Sequence, residues 1–135
     1  MTKKTINTLL WIPILIAAVI MLQTLYFKFS GAPESIYIFS TIGMEPWGRI
    51  GTGIMELIAS ILILIPPTAA FGALIGIGLM AGALFFHLTK LGIVVQDDGG
   101  LLFFYALTVL VCCCIVALAK KSQITGLLKN KTQRI

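Results

Sequence analysis

Four long apolar runs, separated by short polar or glycine-proline breaks, organise the chain. The first extends from about Asn7 to Phe27, with Pro13 and Gln23 as its main interruptions, and the second from about Trp47 to Ile65. The third follows from Thr68 to about Leu88 and the fourth from Leu101 to Ala119. A bilayer core about 30 Å thick is crossed by roughly 20 apolar residues in a helix, so each run is long enough to span it once. The pattern predicts an all-α, integral membrane bundle of four transmembrane helices, a single domain over residues 1–135. No small-residue cleavage site follows the first run, which therefore reads as a retained helix and not as a signal peptide. Pro66-Pro67 ends the second run, because proline lacks the amide hydrogen that a continuing helix needs. The third run restarts at once, leaving a minimal hairpin between the two.

Between the first two spans the chain carries a shorter pattern. Ala32-Pro33-Glu34-Ser35 has the form of a helix start, with proline at the first helical position and a carboxylate in the first turn. Ile36, Phe39 and Ile42 then recur at helical spacing before Gly43. A short interfacial helix over about 33–43 is expected, lying on the outer leaflet or capping the bundle.

Composition sharpens the membrane reading: 59% of residues are hydrophobic and 11% charged, against about a quarter charged in a soluble chain. The distribution of basic residues then gives orientation. Lys3 and Lys4 precede the first span, and Lys120, Lys121, Lys129, Lys131 and Arg134 follow the fourth. Cytoplasmic flanks retain Lys and Arg, so the expectation is a multi-pass protein of the cell membrane, both termini cytoplasmic, with a basic tail over 120–135. Lys28, Glu34, Glu45 and Arg49 then belong to the first outer loop, and Lys90, Asp97 and Asp98 to the second. The net charge of +5 arises at the cytoplasmic ends. Anionic lipid headgroups account for it without a nucleic-acid partner.

The candidate chemistry lies on helical stripes inside the spans. At about 100° per residue, Arg49, Thr52, Gly53, Glu56 and Ser60 share one face of the second span, which should turn inward because polar groups in hydrocarbon are costly. Glu56 falls about 13 Å from Trp47 along the helix axis, near the midplane. On the third span Ala69, Gly72, Gly76, Ala83 and His87 share a close-packing face, and His87, the only histidine, is expected to meet the Arg49 to Glu56 stripe. Tyr105, Thr108 and Cys112 mark the fourth span; Gln23 and Tyr26 mark the outer end of the first. Together they predict a polar pocket open to the outer side, built from Arg49, Thr52, Glu56, His87, Tyr105 and Gln23, with Asp97 and Asp98 at its mouth.

Each feature also has a purely structural reading. Arg49, Glu56 and His87 could form a hydrogen-bonded network that fixes helix register, with Arg49 reaching to headgroups. Asp97-Asp98-Gly99-Gly100 suits a turn and helix start better than a cation site. Cys112, Cys113 and Cys114 lie within a span, lack the Cys-x-x-Cys spacing of disulfide exchange, and read as small buried residues. No metal-ligand spacing, phosphate loop or nucleophile elbow is present, and one histidine cannot supply a bis-histidine haem site.

The stretch Trp47-Gly48-Arg49-Ile50-Gly51-Thr52-Gly53-Ile54-Met55-Glu56-Leu57 with its Pro66 break, and Met80-Ala81-Gly82-Ala83-Leu84-Phe85-Phe86-His87-Leu88, resemble the second and third spans of the DoxX-like membrane proteins. The resemblance covers roughly Gln23 to Ala119 and includes the four-helix layout. Members of that family include a small subunit of a thiosulfate:quinone oxidoreductase, proteins associated with oxidant defence, and an assembly chaperone for receptors. The resemblance thus implies either an accessory, quinone- or small-molecule-binding subunit of a membrane redox system, or a non-enzymatic assembly factor. A small proton-coupled transporter is a further alternative. Arg49, Glu56 and His87 carry over as family-like polar positions, without a catalytic role. A quinone is the candidate cofactor, since the chain has no redox centre of its own. The partners expected are the lipid bilayer and either another membrane protein or further copies of the chain.

Overall fold

The computed structural model describes residues 2–126. Helix α1 covers Lys3–Ser30, α2 Pro33–Thr41, α3 Trp47–Leu64, α4 Ala69–Phe86 and α5 Leu101–Ala119. A 3-10 turn, Pro66–Thr68, joins α3 to α4, and a π-helical turn, His87–Leu91, continues α4. Four of these units are long and apolar enough to cross a membrane: α1, α3, α4 with its two flanking turns, and α5. The four-span, all-α reading holds, with α2 as the additional short helix.

Three boundaries differ from the sequence expectation, and each moves a basic residue. The Thr2 side chain accepts the Thr5 amide at 3.2 Å and starts α1 early. Its end comes at Gly31, whose left-handed backbone (φ 68°) suits glycine. Lys28 is therefore in the last turn of α1 and not in a loop. Lys90 likewise sits in the π-helical turn. Residues 121–126 are helical; Lys129, Lys131 and Arg134, and the rest of the expected basic tail beyond 126, lie outside the described residues.

The spans pack in a ring, α1 against α3 and α5, and α4 against α3 and α5. Small residues set the distances. Ala17, Ala59, Ala69, Ala73 and Cys113 are fully buried, and a Cβ on Gly76 would lie 2.6 Å from the Cys113 sulfur. Cys113 thus fills space against a neighbouring helix, as a small buried residue does. Outside the ring the pattern inverts: Val19, Leu88 and Leu118 are 61%, 69% and 72% exposed. Side chains of that kind need lipid around them. At the end that bears the start of α1 and the end of α5, Gln123 ties the fourth span to the hairpin. Its Nε2 donates to the Pro66 carbonyl at 2.7 Å and its Oε1 accepts the Ala70 amide at 3.1 Å. The Ala70 amide is one of the donors that a helix start leaves unpaired, and the Pro66 carbonyl accepts the Ala69 amide as well.

Candidate functional site

A cavity of about 630 Å³ occupies the half of the bundle away from the α3–α4 hairpin, within the range of small-molecule sites. All four spanning helices line it. Helix α2 covers it, turning Ser35 and Phe39 inward. It thus caps the bundle. Most of the wall is hydrophobic, including Phe27, Phe39, Phe86, Leu79 and Val109.

Of the predicted pocket residues, Gln23, Thr52, Glu56, His87 and Tyr105 all line this cavity, as do Asp97 and Asp98. Arg49 does not. Its Nε donates to both Glu45 carboxylate oxygens at 2.9 and 3.0 Å, and a terminal nitrogen donates to the Lys28 carbonyl. Arg49 therefore neutralises an unpaired carbonyl in the last turn of α1, at the negative end of that helix. Tyr26 is 73% exposed, and Thr108 is on an exposed face of α5.

Glu56 and His87 do not meet. The carboxylate, 3% exposed as a residue, pairs with Lys28 Nζ at 3.1 Å and accepts the Thr24 hydroxyl at 3.2 Å. The reason lies in which side of α3 each neighbour takes. Glu56 and Gly53 turn toward α1, whereas Ala59 and Ile63 meet Gly72 of α4. Lys28 and Thr24 escaped the sequence reading, which placed Lys28 in a loop. Thr24 lies beside the buried α1 stripe of Ala17, Met21 and Leu25 and Lys28 extends it by one turn, and that register is the signal that locates them.

His87 is 6% exposed and its ring packs edge-on against Phe103 at 5.7 Å. Its Nδ1 lies 2.9 Å from the Gly92 carbonyl. A carbonyl only accepts, so Nδ1 carries the hydrogen and Nε2 is left with a lone pair in the neutral ring. Every fully buried side-chain nitrogen or oxygen among the described residues has a partner. The cavity wall nevertheless keeps several polar groups unengaged among those residues, His87 Nε2 and the Tyr105 and Thr52 hydroxyls, whereas Gln23 is exposed at its rim. Such groups in an apolar chamber require water or a ligand.

The two aspartates at the mouth have different roles. Asp97, with φ 61°, is exposed. Asp98 Oδ1 accepts the Val95 and Gly100 amides at 3.0 and 2.8 Å, and its Oδ2 accepts the Leu102 amide at 3.2 Å. The turn and helix-start reading is the one observed. Burial pushes the Asp98 carboxyl up, but the three amide hydrogen bonds outweigh it and hold the group below the usual carboxylate range. Because the folded value is the lower one, the stabilisation is complete above the ordinary carboxylate pKa and is lost as pH falls through the folded value. Asp98→Ala is expected to cost about 1 kcal/mol, the usual worth of a helix cap. Thermal melts at neutral and strongly acidic pH check this: the gap between wild type and variant should shrink in acid.

No group of three or more His, Cys, Asp or Glu suited to a metal occurs among the described residues. Comparison with protein-family models, with curated proteins and with solved structures gave no match.

Proposed function

We propose that this is a DoxX-like protein of the cell membrane, with cytoplasmic termini, whose outward cavity binds a quinone as an accessory subunit of a membrane redox system. The observation that carries the reading is the cavity wall: mainly hydrophobic, roofed by α2, and supplied with unengaged donors and one acceptor. A quinone carbonyl needs donors, which Tyr105 and Thr52 offer. A quinol hydroxyl needs an acceptor, which His87 Nε2 offers. The residue resemblance around Trp47–Leu57 and Met80–Leu88 supports the family, and the basic ends support the orientation.

The mouth selects among ligands. Glu34 and Asp97 are exposed carboxylates there without an ion-pair partner among the described residues. They disfavour an anionic sulfur compound and leave a neutral ring acceptable. Electrons would pass to and from a partner subunit, since the chain's own residues supply hydrogen bonds and no redox centre.

Short-tailed benzoquinone binding to the protein in nanodiscs, read from tryptophan quenching and thermal shift, tests the proposal. Binding should be saturable, and Tyr105→Phe should weaken it several-fold to about tenfold, the worth of one hydrogen bond, with an unchanged melting temperature. Absence of saturable binding by the wild type would sink the quinone reading and leave the assembly-factor reading in its place.

A further inference from the structure

A second hollow lies between α1 and α5, in the half of the bundle that holds the start of α1. It is an open groove of about 410 Å³, whose lining includes Ile6, Leu10, Pro13 and Ile16 of α1 and Cys112 and Ile115 of α5. Apart from the Cys112 thiol, no side chain of its wall carries a polar atom. Groove and cavity stand in series along the same seam. On α1 the groove reaches Ile16 and the cavity begins at Ile20, one helical turn on; on α5 the groove begins at Cys112, just past Val109 where the cavity ends. Ile12, Ile16, Ile20, Gln23 and Phe27 fall on one face of α1, so a single stripe lines both hollows. The cavity is also open toward lipid on this side, because its lining residues Gln23 and Phe27 on α1 and Leu101 on α5 are exposed.

We infer that the groove seats the apolar chain of the ligand whose ring enters the cavity, so that the site takes a quinone with a long isoprenoid chain. This rests on the quinone reading of the cavity and adds where the chain goes. Polarity sets the direction. The unengaged hydrogen-bonding groups, Nε2 of the buried His87 and the Tyr105 and Thr52 hydroxyls, belong to the cavity, and the groove offers hydrocarbon and one thiol. Reach sets the length. At about 1.5 Å per residue, the track from Ile20 back to Ile6 is about 21 Å long, whereas one leaflet contributes about half of the roughly 30 Å core. A chain that starts in the cavity and fills the groove therefore crosses the midplane, as a polyisoprenoid chain does and an ordinary acyl chain does not. The groove adds packing and not the hydrophobic effect, since the chain leaves one apolar phase for another.

Displacement of a radiolabelled short-tailed benzoquinone from the protein in nanodiscs, with competitors counted as mole fraction in the lipid, tests the chain seat. A benzoquinone with a polyisoprenoid chain should bind the wild type roughly fivefold tighter than the short-tailed compound, the order that about ten carbon contacts supply. Ile12→Trp and Ile115→Trp fill the groove from its two walls at positions that are 59% and 47% exposed. Each should abolish the preference and leave short-tailed binding unchanged, whereas Leu118→Trp, at an exposed α5 position outside the groove, should keep the preference. Wild-type protein that binds both compounds equally overturns the chain seat and leaves the proposed function standing, and wild-type protein that binds neither overturns both. Tryptophan variants that keep the preference but lose a co-purified phospholipid, seen by native mass spectrometry, also overturn the seat and give the groove to a lipid of the opposite leaflet.

Discussion

Gly72→Leu is expected to prevent formation of the folded bundle, and Gly72→Ala to lower its melting temperature. A Cβ at this position would stand 2.4 Å from the Ile63 amide nitrogen, 2.7 Å from the Ala59 carbonyl oxygen and 2.9 Å from the Ile63 Cα. All three are backbone atoms of α3, so no side-chain rotation relieves the clash. The hairpin connection is one 3-10 turn, which leaves the helices little freedom to separate. Overpacking costs about 1–3 kcal/mol, and the gain in helix propensity from glycine to alanine recovers about 1. The alanine variant should therefore be less stable by up to about 2 kcal/mol, and leucine should exceed that range. Gly78→Ala is the internal control of opposite sign, because it gains the propensity term and meets no neighbour. Circular dichroism melts in detergent decide the matter. A Gly72→Leu protein melting within a few degrees of wild type would show that α3 and α4 do not pack as described.

The contrast between Gly72 and Gly78 also shows where sequence reasoning stops. Hydrophobic period and proline placement located every span, because a bilayer leaves the backbone few alternatives to a helix. The same rules found α2 from Ala32-Pro33-Glu34 and the turn at Asp98. They also selected Gln23, Thr52, Glu56, His87 and Tyr105, which come together on one cavity. What they missed depends on azimuth between helices. A stripe drawn on α3 does not say that Glu56 turns to α1 while Ala59 turns to α4, nor that Arg49 leaves the wall for Glu45 and the end of α1. Small residues grouped on one α4 face were likewise read as a single packing surface. Two further glycines on another face, Gly78 and Gly82, face open space, and only the position of neighbouring helices separates the two cases.

Breaking the Lys28–Glu56 pair should be costly in a way that depends on which partner is removed. Removing one member of a buried pair typically costs about 3–5 kcal/mol, because the other charge stays in an apolar setting. The two sides are not equivalent here. The Lys28 side chain is 14% exposed and the Glu56 side chain 4%, and Lys28 lies in the last turn of α1 with a flexible four-carbon stem. After Glu56→Gln, the ammonium can snorkel toward the headgroups. After Lys28→Met, Glu56 stays fixed in the middle of α3, with the Thr24 hydroxyl as its remaining side-chain partner. Lys28→Met should thus be the more damaging change, approaching the full 3–5 kcal/mol, and Glu56→Gln clearly less. Lys28→Met combined with Glu56→Leu should recover much of the loss, since a matched apolar pair in place of a buried ion pair is often neutral or stabilising. A double-mutant cycle of Lys28→Met, Glu56→Leu and their combination, from denaturation in mixed micelles, reads the coupling directly. Additive losses would mean that the pair contributes no mutual stabilisation. A Glu56→Gln variant more damaged than Lys28→Met would mean that Lys28 is held by contacts other than the carboxylate. The cycle also separates the roles of Glu56. If the double variant regains stability and still binds quinone, the pair holds α1 to α3 and the ligand is left to Tyr105, His87 and the α4 wall. If stability returns without binding, the carboxylate acts on the ligand as well as on the fold.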